Sequence, residues 1–247
     1  MDQAQASDDR ELRIRYLSVL ERLENAMCRA GRKAGDVALV AVSKLHPAGA
    51  VAKVAGMGQT LFGENYVQEA LEKRAELERA GLAREARWHM IGHVQSRKAA
   101  LVAGAFDLVH TLDSVKLADE LNRRCLARDV FQDCLVEVNV GGEAQKSGVD
   151  PEELPRLALH VLESCPRLRL QGLMCIPPVY DARAAAQPYF AELRRLRDRL
   201  QAETGLALPH LSMGMSGDFE WAVLEGATFV RVGTDIFGPR PAKPASA

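Results

Sequence analysis

Lys44 stands just past Val37-Ala-Leu-Val-Ala-Val42, the most apolar short run of the chain. A lysine at the end of a buried strand can be desolvated and kept partly neutral, which an amine needs in order to add to a carbonyl. An ordinary solvated lysine would occupy the same place, so Lys44 alone decides nothing. Two glycine-bearing loops add a second chemistry. Ser212-Met-Gly-Met-Ser-Gly217 precedes a short helical run, and Gly233-Thr234 precedes another. Small residues let the backbone approach an anion closely, and serine and threonine add hydroxyl donors, so the pair reads as a phosphate cradle. Either loop alone would pass for a turn; their joint occurrence late in the chain is what favours phosphate.

Other signals fail on spacing. His89 and His93 straddle a strand end and Gly92 with no third ligand, so zinc is not expected and no metal site is assigned. Gly142-Glu-Ala-Gln-Lys-Ser147 lacks the spacing of a P-loop, and Gly56-Met-Gly58 follows a helix instead of linking a strand to one. Arg194, Arg195, Arg197 and Arg199 read as a solvated helix face.

The elements that must position these residues alternate along the whole chain. Strand-like runs at 37–42, 60–62, 88–91, 107–112, 134–140, 168–176, 210–212 and 228–232 are separated by helical runs, with Ser96 as an expected N-cap and a helix expected from Ser114. Eight such units with short connections predict a closed parallel (β/α)8 TIM barrel, with an open doubly wound sheet as the rival. In a barrel, functional residues sit at the C-terminal ends of the strands, which is where Lys44, the 212–217 loop and Gly233-Thr234 fall. The expected boundaries are a flexible N-terminus over 1–9, a barrel over 10–238 with an extra N-terminal helix, and a disordered tail over 239–247.

Composition agrees with one domain. The chain has 247 residues, 47% hydrophobic and 26% charged, with 32 basic against 33 acidic side chains and a net charge of −1. That balance argues against bulk electrostatic binding of nucleic acid. No apolar run reaches the ~20 residues of a membrane helix, and the polar N-terminus does not read as a signal peptide. The five cysteines are scattered and odd in number, which points to reduced thiols and a cytoplasmic protein.

Several stretches together carry a family resemblance. They are Val42-Ser-Lys44, Phe62-Gly-Glu-Asn-Tyr-Val-Gln-Glu69, Trp88-His-Met-Ile-Gly92 with Gln95-Ser96, Gly172-Leu-Met174, Leu211-Ser-Met-Gly-Met-Ser216, and Val230-Arg-Val-Gly-Thr234 with Ile236-Phe-Gly238. The chain resembles the pyridoxal-phosphate homeostasis protein family, also called the YggS/PROSC family, over about residues 10–240. Departures at His93-Val94, Arg97 and Val140-Gly-Gly142 touch only the rim.

The resemblance implies a single barrel of PLP fold type III, related to the N-terminal domain of alanine racemase, that carries pyridoxal 5'-phosphate (PLP) as an internal aldimine. It implies Lys44 as the Schiff-base lysine, Arg231 facing the pyridine nitrogen, Ser212, Ser216, Gly233 and Thr234 around the phosphate, and Asn65 near the ring. No residue is assigned a catalytic role. Arginine keeps its charge, so Arg231 should leave the ring nitrogen unprotonated and the electron sink weak. The chain also ends soon after the eighth strand, leaving no evident room for a domain that could supply a second base. The expected function is therefore carriage and regulation of PLP, a form of vitamin B6, without strong catalysis. The alternative is a small fold-type-III amino-acid racemase. The expected partners are PLP and PLP-dependent apo-enzymes, with no nucleic acid and no membrane, and the chain is expected to act as a monomer. Lys146, in the glycine-rich loop after the fifth strand, is a candidate gate that contacts PLP as it leaves.

Overall fold

The computed structural model describes residues 3–178 and 183–239. Strands β1 (Ala38–Val42), β2 (Leu61–Glu64), β3 (Arg87–Met90), β4 (Leu108–Leu112), β5 (Gln132–Glu137), β6 (Leu168–Met174), β7 (His210–Ser212) and β8 (Phe229–Val232) lie side by side in chain order, all parallel. The barrel closes where β8 pairs with β1, with Val40 opposite Arg231. The open-sheet rival is thereby excluded. Helices α2 (Ala48–Ala55), α3 (Val67–Arg79), α4 (Ala99–Val102), α5 (Val115–Arg128), α6 (Leu154–Ser164), α7 (Gln187–Thr204), α8 (Phe219–Leu224) and α9 (Thr234–Phe237) follow the successive strands, and α1 (Gln3–Arg29) precedes β1. No helix among the described residues is long and apolar enough to cross a membrane.

Period-two alternation divides the side chains between two cores. Val40, Leu61, Leu108, Leu135, Met174 and Phe229 form a compact plug inside the barrel. The other strand faces pack against the helices in a much larger shell that includes Phe62, Trp88, Leu173, Phe190 and Phe219. Strands buried on both faces explain why runs such as Ala38–Val42 are continuously apolar.

Local chemistry sets several boundaries. Ser114 caps α5, its hydroxyl accepting from the Leu117 amide at 3.4 Å. Ser96 does not cap a helix: it is the first residue of a 3-10 turn (Ser96–Lys98) that leads into α4, and Gln95 precedes it. Helix α1 begins at Gln3, so residues 3–9 belong to it and not to a separate lead. Strand β5 stops at Glu137, short of Val140, because the chain folds back on itself. The Val149 amide donates to the Glu137 carbonyl and the Asn139 amide to the Val149 carbonyl, each at 2.9 Å. The tail over 240–247 lies outside the described residues.

One glycine is required by a close approach. At Gly172 in β6, φ is +151° and an added Cβ would sit 1.8 Å from the His210 carbonyl oxygen of β7. Gly172→Ala is therefore expected to destabilise the protein by about 3 kcal/mol, since the clash is with backbone that must shift to relieve it. Urea denaturation followed by circular dichroism would check this, and a cost under 1 kcal/mol would contradict it.

Candidate functional site

The inward register of the strands, carried past their C-terminal ends, assembles the site. Continuing the inward alternation, β1 runs Val40, Val42, Lys44; β2 runs Leu61, Gly63, Asn65; β7 ends on Ser212; and β8 runs Phe229, Arg231, Gly233. Lys44, Asn65, Ser212, Arg231 and Gly233 thus all fall on the inner file at one end of the barrel. Ser216 and Thr234 follow in the loops above β7 and β8, Ser216 half-buried and Thr234 exposed.

Lys44 is half-buried and sits in a tight turn closed by the His46 amide donating to the Ser43 carbonyl at 3.1 Å. Leu45, the residue after it, has φ +64°. A left-handed conformation costs a non-glycine residue about 1–2 kcal/mol, so surrounding contacts must hold this turn.

Arg231 is 4% exposed and anchored at two points. Its Nη1 donates to Ser212 Oγ at 2.6 Å and its Nη2 to the Cys175 carbonyl at 2.9 Å. Burial pulls its pKa down, and the neighbouring Cys175, Glu137 and Asp218 oppose that. Ser212 is fully buried, and its hydroxyl also meets His110 Nδ1 at 2.8 Å, while His110 Nε2 meets His89 Nδ1 at 3.0 Å. Burial drives both imidazoles towards the neutral form, His89 to about 4 and His110 well below its ordinary value. Ser212 accepts from Arg231, and with both rings neutral the Ser212–His110 and His110–His89 contacts each carry one proton, their direction set by the tautomers of the rings. The Ser212 hydroxyl thus meets Arg231 on one side and His110 on the other.

Asn65 and Gly233 are placed by contact. An added Cβ at Gly92 would lie 2.3 Å from the Asn65 carbonyl oxygen, and one at Gly233 would lie 3.2 Å from the Val42 carbonyl oxygen. Glycine at these positions lets the loops above β2, β3 and β8 close in on the mouth. Asn65 Oδ1 is buried with no hydrogen-bond partner. An orphaned acceptor at the same end of the barrel as a strand-end lysine and a buried guanidinium suits a polar ligand that brings a donor of its own.

The family follows from comparison with known proteins. The alanine racemase N-terminal domain model matches residues 19–241. A pyridoxal phosphate homeostasis protein of Aquifex aeolicus is 46% identical over 226 residues, spanning 92% of this chain and 97% of its own. The chain belongs to the pyridoxal phosphate homeostasis protein family. Another relative of that name, from Pseudomonas aeruginosa, is 46% identical over 222 residues, spanning 90% of this chain and 93% of its own. Among solved structures, PipY of Synechococcus elongatus with PLP bound matches with a TM-score of 0.76 at 38% identity, covering 88% of this chain and 99% of that one. Alanine racemase from Corynebacterium glutamicum matches with a TM-score of 0.66 at 17% identity, covering 98% of this chain and 62% of that one, which shows a shared fold.

In this pyridoxal phosphate homeostasis family member, some sequence candidates fall away from the mouth or are held by neighbours. His89 points into the barrel against His110, whereas His93 pairs with Asp113 at 3.0 Å, so the two do not converge. Lys146 is tied to Glu143 and donates to the Pro177 carbonyl at 3.0 Å, joining the loops after β5 and β6. Asp119, His160 and Cys165 bring donor atoms within 4.8 Å of one another on the outer helices. That group is accounted for by a His160–Asp119 contact of 2.6 Å beside a thiol that burial pushes up to about 11.

Glu137 was not singled out in the sequence, although its inward alternation with Leu135 and Asn139 is the signal that finds it. It is 5% exposed, Oε2 has no partner, and burial raises its pKa to about 7 with Asp113 adding to the shift and Arg231 opposing it. Folding therefore takes up a proton between about 4.5 and 7, and this group's contribution to stability weakens as pH rises through that window. Glu137→Gln should remove the effect, so its stability relative to wild type should improve by roughly 3 kcal/mol from pH 4.5 to pH 8. Urea melts of the cofactor-free proteins across that range would show it; parallel curves would refute it.

Proposed function

We propose that this protein binds PLP at the barrel mouth and acts as its carrier and regulator, without strong catalysis. The observation that carries the reading is the meeting of Lys44, Arg231, Asn65 and the Ser216 and Gly233-Thr234 loops at one end of one barrel. PLP supplies an aldehyde that condenses with a primary amine, releasing water, and a pyridine ring that withdraws electrons. Lys44 is the amine that holds it. Ser216, Thr234 and the small residues around them take the phosphate. Asn65 offers its orphaned oxygen to the ring edge. Arg231, fixed by Ser212 and Cys175, presents a charge it does not give up, so the ring nitrogen has no proton source there and the electron sink stays weak. The names of the Aquifex and Pseudomonas relatives and the PLP-bound state of PipY support the same reading.

Carriage further requires release to apo-enzymes, with the protein acting as a cytoplasmic monomer. The test is to load the protein, remove free PLP, and add the apo form of a PLP-dependent enzyme. Recovery of that enzyme's activity at a rate set by the loaded protein, with no racemisation of free amino acids, supports the carrier. Turnover of an amino acid enantiomer by the loaded protein alone would favour the racemase.

A further inference from the structure

We propose that Glu69, from the first turn of α3, is a positioning residue for Lys44: it holds the left-handed turn on which that lysine stands. The inference rests on Lys44 as the amine that takes PLP, and it adds a residue that acts through the backbone of the turn.

The turn Ser43–His46 places Lys44 and Leu45 at its two central positions. A turn whose third residue has positive φ ordinarily carries glycine there. Here the residue is Leu45, at φ +64° and 42% exposed, so packing of its side chain does not explain the conformation. Hydrogen bonding does. The Leu45 amide donates to Glu69 Oε1 at 2.6 Å, a contact with a charged acceptor 24 residues along the chain.

The grip extends to the other side of Lys44. Lys73, one helical turn after Glu69, donates from Nζ to the Ser43 carbonyl at 2.8 Å, to Glu64 Oε1 at 2.5 Å and to Glu69 Oε1 at 3.1 Å. Ser43 Oγ donates to the same Glu64 oxygen at 2.7 Å. Glu64 is fully buried and Lys73 is 5% exposed, so this pair forms a fixed post between barrel and helix. The far end of the turn is pinned by the His46 ring, stacked on Phe237 of α9 with centroids 5.1 Å apart. Both peptide groups flanking Lys44 are therefore tied to α3, and the Glu69 contact falls on the amide of the residue with the unfavourable backbone conformation. The buried Lys73 is needed by the fold itself, since removing it would leave Glu64 as a buried carboxylate without its cationic partner. Glu69 is partly exposed and can be changed without that cost.

The test uses three variants of the full chain, each checked for a native circular dichroism melt: Glu69→Ala, Glu69→Gln, and Glu69→Ala combined with Leu45→Gly. The first readout is the rate at which added PLP forms its borohydride-sensitive band. The second, in protein free of PLP, is the hydrogen exchange rate of the residue 45 amide by NMR. Glu69→Ala should slow attachment about tenfold and speed exchange at residue 45 about tenfold, the shift that the strain of one left-handed non-glycine residue corresponds to. Glu69→Gln keeps an acceptor oxygen and should stay within about threefold of wild type in both. Glycine at residue 45 removes the strain, so the double variant should recover most of the attachment rate although its amide remains unprotected. That recovery separates positioning of the turn from a general loss of structure or of charge. The proposal is overturned if Glu69→Ala leaves either rate unchanged, or if the double variant attaches PLP as slowly as Glu69→Ala. If wild type forms no adduct at Lys44, the functional reading falls, and the hold on the turn is then judged by exchange at residue 45 alone.

Discussion

Lys44→Ala is expected to abolish the borohydride-sensitive absorbance band of the PLP-loaded protein while leaving unfolding free energy within about 0.5 kcal/mol of wild type. Lys44 is half-buried at the rim and outside both hydrophobic cores, so its removal opens no packed cavity. Without the covalent link, any PLP that the variant still holds is bound non-covalently and should wash out on gel filtration. Absorbance before and after borohydride, paired with a urea melt, separates the two effects. A variant that keeps the full band would show that another lysine holds the cofactor, and one that fails to fold would show that Lys44 has a structural role.

Arg231→Leu should be far more damaging to the fold. It strands the Cys175 carbonyl and breaks the Ser212–His110–His89 chain at its charged end. It also removes the one nearby positive charge that restrains the pKa of Glu137. Two or three buried polar groups left without partners should cost about 3–5 kcal/mol in total. The pH dependence of the loss carries its own sign. Without Arg231 the Glu137 carboxyl titrates higher still, so the penalty should grow as pH rises towards 8 and shrink at pH 5. Urea denaturation at those two pH values would check it, and a loss below 1 kcal/mol at both would mean that Arg231 is not part of the barrel's internal support.

The barrel was legible because its signal is distributed. Eight apolar runs alternated with helical ones, and continuous apolarity in Ala38–Val42 follows from burial on both faces. That Lys44, Asn65, Arg231 and Gly233 stand at strand ends was legible for the same reason, whereas their common inward face follows from the register of the closed barrel. What the sequence concealed depends on pairs distant in the chain. Ser212 reads as a member of a phosphate loop, and only the proximity of His110 and Arg231 shows that its hydroxyl supports the guanidinium. His89 reads as half of a metal pair until the barrel turns it towards His110. Glu137 is an unremarkable strand carboxylate in sequence and a buried, partly unsatisfied one in three dimensions. Leu45 has no propensity for a left-handed turn, so its conformation is invisible without Glu69. Residues 3–9 have little apolar periodicity, which is why the sequence alone does not show that α1 includes them.

The most direct test of the central claim is to load the protein with PLP, reduce it with borohydride, digest it, and locate the modified lysine by tandem mass spectrometry. The expected result is one stoichiometric phosphopyridoxyl group on Lys44, with Lys73, Lys98 and Lys146 unmodified. Modification spread over exposed lysines with Lys44 untouched would contradict the assignment of the barrel mouth as the PLP site.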